Sequence, residues 1–274
     1  MSHSYPLPAA GAAPAAAPTG WRRARRLYGL EIRSELLKAL RMPAYSLPTV
    51  AFPAAFYLFF GVAFGKQSAG GVDMATYLIA TYGAFGVIGA SLFGFGVGVA
   101  AERGQGWLLL KQATPMPPLA LFVAKGVMSL VFGVTIVVLL ATLGMTFSGV
   151  RLPLETWAGL AAALVPGAVP FCAMGLLLGY LTGPNSAPAV VNLLYLPLSF
   201  LSGLWIPIQG LPGALQNLAL FLPPYHYAQL ALKPLGADQG GETWLHVAVL
   251  AGFTVLCLIG ARWAYRRDEG KTYG

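Results

Sequence analysis

The chain has 274 residues, 57% of them hydrophobic and only 9% charged, with a formal net charge of +8. An ordinary soluble domain carries roughly 25% charged residues, so this composition excludes a water-soluble core and implies an exterior that faces lipid. The basic residues gather in the two end segments instead of forming a patch on a soluble fold. They point to phosphate headgroups and membrane orientation, with no nucleic acid as partner.

Residues 1–20, MSHSYPLPAAGAAPAAAPTG, form a Pro/Ala-rich tail. It lacks the basic start and unbroken apolar core of a secretory signal, so neither cleavage nor ordered structure is expected of it. Residues 21–45 then turn basic, and Leu27, Leu30, Leu36, Leu37 and Leu40 recur at roughly helical spacing between Arg and Lys. That pattern predicts an amphipathic helix lying in the membrane interface, leucines towards the acyl chains and arginines near anionic lipid.

Six apolar spans follow within residues 46–267, giving an all-α membrane protein with six transmembrane helices. The first, about Ser46 to Gly65, contains Pro48 and Pro53, which predict irregular opening turns. The second, about Ala75 to Ala101, is uncharged, and Gly86, Ala90, Gly94 and Gly98 fall at every fourth position. Such a ridge of small residues lets another helix approach closely, either inside one subunit or at a dimer seam. Spans three and four run from about Leu119 to Phe147 and from about Trp157 to Leu181, the latter with Gly175 and Gly179 in the same spacing. Spans five and six cover about Ala187 to Ile206 and Trp244 to Tyr265, and a tail, 268–274, closes the chain.

Two connecting segments stand out. ERGQGWLLLKQATPMP, Glu102 to Pro117, reads as a short amphipathic helix stopped by Pro115, a shape suited to touching a soluble partner. Residues 207–234 are too broken by proline for one crossing, and two half-helices that dip into the membrane and return are expected, covered by protein. With both termini cytoplasmic, all but Lys66, Arg151 and Lys233 of the 17 Lys and Arg fall on the inner side.

Chemistry is harder to find. No Asp, Glu, Lys or Arg occurs from Thr156 to Leu232, and Lys125 is expected to snorkel to a membrane surface. His226 and His246 read as interfacial residues, and Ser202 lacks the glycine pattern of an intramembrane serine protease. Cys172 and Cys257 lie inside apolar runs as packing residues, with no disulfide or metal spacing. Gly270-Lys271-Thr272 mimics the end of a phosphate-binding loop, but Tyr265 stands where its first glycine is needed. No catalytic, cofactor-binding or metal-binding residues are expected in this chain.

Two stretches resemble the type-2 ABC exporter permeases. In the first, Glu102, Arg103, Gly106, Leu108, Leu109, Leu110, Thr114 and Pro115 match that family's coupling helix, with Trp107, Lys111 and Gln112 as departures. In the second, Ser202, Gly203, Pro207, Leu211, Pro212, Pro224, Tyr225 and His226 match its late motif before the last span, where the family has outer re-entrant half-helices. The resemblance implies a permease without its own ATPase site, paired with a second copy as a homodimer and bound to two cytoplasmic ATPase subunits that hold ATP and magnesium. Leu108 to Leu110 would fill a groove on the ATPase, while Glu102 would orient the helix start or pair with a basic residue of that partner. Trp205, Tyr225 and His226 would line or plug the outer route. The expected function is export of a hydrophobic or amphipathic, drug-like or lipid-like compound across a bacterial inner membrane. The alternative, a gradient-driven secondary transporter or channel, would require buried carboxylates, which are expected to be missing.

Overall fold

The computed structural model describes residues 20–107 and 119–268. Leu108, Leu109, Leu110, Lys111, Gln112, Thr114 and Pro115 lie outside the described residues, as do most of the N-terminal tail and the last six residues. The described chain is almost wholly helical: α1 (Gly20–Leu40), α2 (Pro43–Phe56), α3 (Met74–Leu92), α4 (Gly98–Gly104), α5 (Leu119–Phe147), α6 (Leu154–Leu164), α7 (Ala168–Leu181), α8 (Ala187–Leu201), α9 (Gly213–Ala219), α10 (Pro223–Leu232) and α11 (Thr243–Asp268). Five stretches are long and apolar enough to cross a membrane: Pro43–Val62, Met74–Gly104, Leu119–Phe147, Leu154–Leu181 and Thr243–Arg267. The apolar helix α8 is shorter.

The second stretch is the centre of the molecule. Every residue from Ala75 to Leu92 is buried, which a helix apolar on all sides requires. Around it pack α2, α5, α7 and α10, while α11 lies along α7. The outward faces of α5 and α11 are apolar, with Val138, Leu256 and Ile259 among the most exposed side chains, as lipid contact demands. At one end of the bundle α2 and α3 are joined by a hairpin of Ser68–Ala69 and Val72–Asp73. Gly70 and Gly71 turn it with positive φ at both positions, the backbone needed for a two-residue loop.

Three helices depart from simple α geometry. Pro48 and Pro53 sit inside α2 instead of leaving its start irregular, and the helix widens into a π-turn over Tyr57–Val62. A second π-turn, Phe93–Val97, separates α3 from α4. The fourth span is broken: Val165, Pro166 and Gly167 separate α6 from α7, a break missed at the sequence level although Pro166 removes an amide donor. The Tyr227 hydroxyl donates to the freed Leu164 carbonyl at 2.7 Å. A Cβ on Gly167 would meet the Tyr227 ring at 2.0 Å, so glycine is required beside it.

Leu164 therefore depends on Tyr227 for its partner in a setting without water. Replacing Tyr227 with Phe keeps the ring and removes only the hydroxyl; thermal unfolding in detergent should show a loss of about 1 kcal/mol.

Candidate functional site

The end of the bundle that bears Glu102 holds the densest polar cluster among the described residues. α1 brings Glu35 and Lys38, α4 brings Glu102 and α5 brings Lys125. Lys125 Nζ lies 3.0 Å from Glu35 Oε2 and 3.0 Å from Glu102 Oε1. Lys38 Nζ lies 2.6 Å from Glu35 Oε1 and also bonds Glu102 Oε1. The four side chains thus form a closed ring of alternating charge. Glu35, Glu102 and Lys125 are 2%, 7% and 1% exposed, and only the Lys38 corner reaches solvent. Burial works to lower the Lys38 pKa, but Glu102 and Glu35 outweigh it and hold the ammonium above the ordinary lysine value. Removing one member of such a group leaves a buried charge uncompensated, at a cost of about 3–5 kcal/mol.

The ring corrects two sequence-level expectations and bears on a third. Lys125 does not snorkel; it is enclosed. Glu102 pairs within its own chain, through Oε1, with Lys38 and Lys125. Buried carboxylates do exist, in Glu35 and Glu102, although each is neutralised. On α1 the docked face is Glu35, Leu36 and Ala39, with Ala39 packed beside Ala90, Met128 and Phe132. Leu30, Leu37 and Leu40 point outward instead. Contacts 90, 64 and 23 residues apart made this ring invisible in local pattern.

Arg103 adds a further anchor. It donates to the carbonyls of Tyr180 and Thr182, the latter at 2.7 Å. These acceptors lie at the end of α7, where carbonyls lack helical partners and the dipole favours a cation. A Cβ on Gly104 would meet Pro184 Cγ at 2.6 Å, so glycine admits the loop after α7. Gly106, at φ +73°, takes the left-handed conformation that ends the helix. Beyond it Trp107 is exposed.

The small-residue ridge faces inward, onto neighbours in the same chain. A Cβ on Gly86 would meet Ile136 Cγ2 at 2.7 Å, and one on Gly94 would meet Met128 Cε at 2.7 Å. Ala90 is fully buried. At Gly98 an added Cβ would sit 3.2 Å from Lys125 Nζ, so that glycine provides the space for the buried ammonium. Gly175 and Gly179 seat α7 against Phe95 and Val99 in the same manner.

The outer-motif residues do not form one pocket. Ser202 ends α8, and Gly203, at φ +74°, supplies its left-handed stop. The Trp205 ring packs on Phe56, Phe85 and Phe200, and its carbonyl accepts the Tyr82 hydroxyl at 3.1 Å. Pro207 opens a 3₁₀ turn, Pro212 precedes α9, and Pro224 lies in the first turn of α10. Tyr225 packs with Ile208, Leu211 and Ala219, so Leu211 and Tyr225 do meet, while His226 faces α11. His226 and His246 are not surface residues: both are buried, and their Nδ1 atoms are 2.8 Å apart. His226 Nε2 reaches the Leu220 carbonyl at 2.9 Å. A carbonyl only accepts, so Nε2 carries the proton, and neutral His226 accepts at Nδ1 from His246.

The geometry is that of an all-α, multi-pass membrane protein with its polar machinery at one end. The chain matches the family described as ABC-2 type transporter over residues 27–235 and is a member of that family. It is also 25% identical over 236 residues to "Putative transport permease YvfS" of Bacillus subtilis (strain 168), a match covering 86% of this chain and 96% of that protein. It is therefore a membrane permease of an ABC transporter, a transmembrane subunit that works with a cytoplasmic ABC ATPase. This membership sides with the ATP-driven reading against the gradient-driven one.

Two outcomes follow from these contacts. Gly98→Ala should be tolerated, since it presses only the tip of a flexible side chain. Gly98→Leu should displace Lys125 and cost about 3–5 kcal/mol, visible as a lowered melting temperature and yield. Burial lowers the His226 pKa from its ordinary 6.5, so the folded state binds fewer protons than the unfolded one. The resulting stability is fully present above pH 6.5 and is lost as pH falls through the folded value. Hydrogen-exchange protection of residues 205–235, corrected for the intrinsic pH dependence of exchange, should therefore fall as pH drops below 6.5, and His226→Phe should flatten that dependence.

Proposed function

We propose that this permease exports a hydrophobic or amphipathic compound, drug-like or lipid-like, across a bacterial inner membrane. In this reading α8 completes six crossings, both termini are cytoplasmic, and α9 and α10 form the outer re-entrant pair. Residues 102–117 act as the coupling helix. Two copies of the chain, as a homodimer, carry two ATPase subunits, which hold the ATP and magnesium.

One observation carries the coupling role. The chain leaves the bundle at Gly104–Trp107 from a foundation fixed by Glu102 to α1 and α5 and by Arg103 to α7. A segment mounted in this way transmits a push instead of absorbing it, and the push selects between packings of the spans. The cargo class follows from what the bundle offers. Away from the ring, the helices between Thr156 and Leu232 supply aromatic, aliphatic and hydroxyl groups but no fixed charge, which suits a cargo with little charge of its own. The burial of α10 against α3, α6 and α11 supports the re-entrant assignment, because broken backbone at membrane depth must be covered by protein.

The test is affinity purification of the tagged chain from native membranes in mild detergent. A stoichiometric soluble protein with a Walker A loop is expected, and it should be lost when Leu109 and Leu110 become Asp while the permease stays inserted. Undiminished ATPase binding by that variant would remove the coupling role from this segment.

A further inference from the structure

We infer that α1 is part of the moving transmission element and that Lys125 is the positioning residue that makes it so. This rests on the reading of residues 102–117 as the ATPase contact. Glu102 is the first residue of that segment and is buried, unlike the described residues 103–107 after it, and Lys125 lies within two turns of the start of the helix that follows the segment. They bond each other at 3.0 Å, so the two flanks of the segment are tied together directly. Both are tied in turn to α1, through Glu35 and Lys38.

The chemistry of the ring makes this connection close to rigid. Each ammonium has two carboxylates and each carboxylate has two ammoniums, so the four charges cancel within one small volume. Pulling α1 away from Lys125 would separate unlike charges where little water is present, whereas moving α1 together with α4 and α5 separates none. The ring also has one weak corner. The Lys38 side chain is 40% exposed, and water can replace its partners there, as it cannot for Lys125 or Glu35. A large displacement of α1 would therefore open the ring at Lys38 while Glu35–Lys125–Glu102 stays joined. On this account the N-terminal helix is not a passive float on the lipid surface; it is carried by the same push that reaches the spans.

The experiment uses the permease with its co-purifying ATPase in proteoliposomes, in a background where Cys172 and Cys257 are replaced by Ala. Spin labels at Ser34 on α1 and Leu256 on α11 report their separation with and without ATP. In the parent complex the distance should change on ATP binding. Lys125→Met should keep the ATPase bound, abolish that change, and abolish the permease's stimulation of ATP hydrolysis. Lys125→Arg, which keeps a cation between Glu35 and Glu102, should retain both readouts, whereas Lys125→Met, which fills a similar volume without charge, should lose them. Should Lys125→Met fail to accumulate, Lys38→Met at the exposed corner carries the same test, with a smaller loss expected. A bound ATPase with a static α1 in the parent, or unchanged α1 movement in Lys125→Met, overturns this inference and leaves the coupling segment standing. Absence of any ATPase from the parent complex overturns both.

Discussion

A charge placed among apolar helices must find its opposite within bond length, because neither lipid nor a packed core solvates it. In this permease that constraint is met four times over in the ring of Glu35, Lys38, Glu102 and Lys125. Much of the local architecture follows from it. α1 must dock to bring two of the four groups, α4 must end where Glu102 reaches Lys125, and position 98 must stay small. The helices that meet here are therefore specified by electrostatics as much as by apolar fit.

Elsewhere the bundle manages polarity with tyrosines. Tyr45 donates to the Ala90 carbonyl, Tyr82 to that of Trp205, Tyr195 to that of Phe85 and Tyr227 to that of Leu164. Each is a hydroxyl at the end of a large apolar ring, tying one element to the backbone of another. Three of the four carbonyls lie on or next to the central helix or at the break between α6 and α7. These bonds join elements where regular helical geometry alone would not.

Five of the six expected spans were legible because lipid exposure writes itself into composition: long uncharged runs, proline-rich connections and basic ends need no tertiary information. The helix stop at Gly106 and the Ser202–Gly203 turn were also within reach, since glycine in a left-handed position is a local requirement. What sequence could not supply was partnership. Glu35 looked like one more charge on an amphipathic helix, and Lys125 like a residue near a span's edge; their pairing spans 90 positions. The same holds for His226 and His246, whose contact depends on how α10 lies against α11. Pro166 did carry a local signal for the broken fourth span, but the unbroken run of apolar residues around it masked the interruption.

The far end of the last helix has a bearing on how this molecule can be handled. Tyr265 meets Tyr180 edge-on, with ring centroids 5.4 Å apart, and the Tyr180 carbonyl is one of the two held by Arg103. The end of α11 thus stands two contacts away from the point where residues 104–107 leave the bundle. A fluorescent protein or affinity handle joined directly after Arg267 would crowd that exit, and any assay of subunit assembly would then report on the handle as well as the permease.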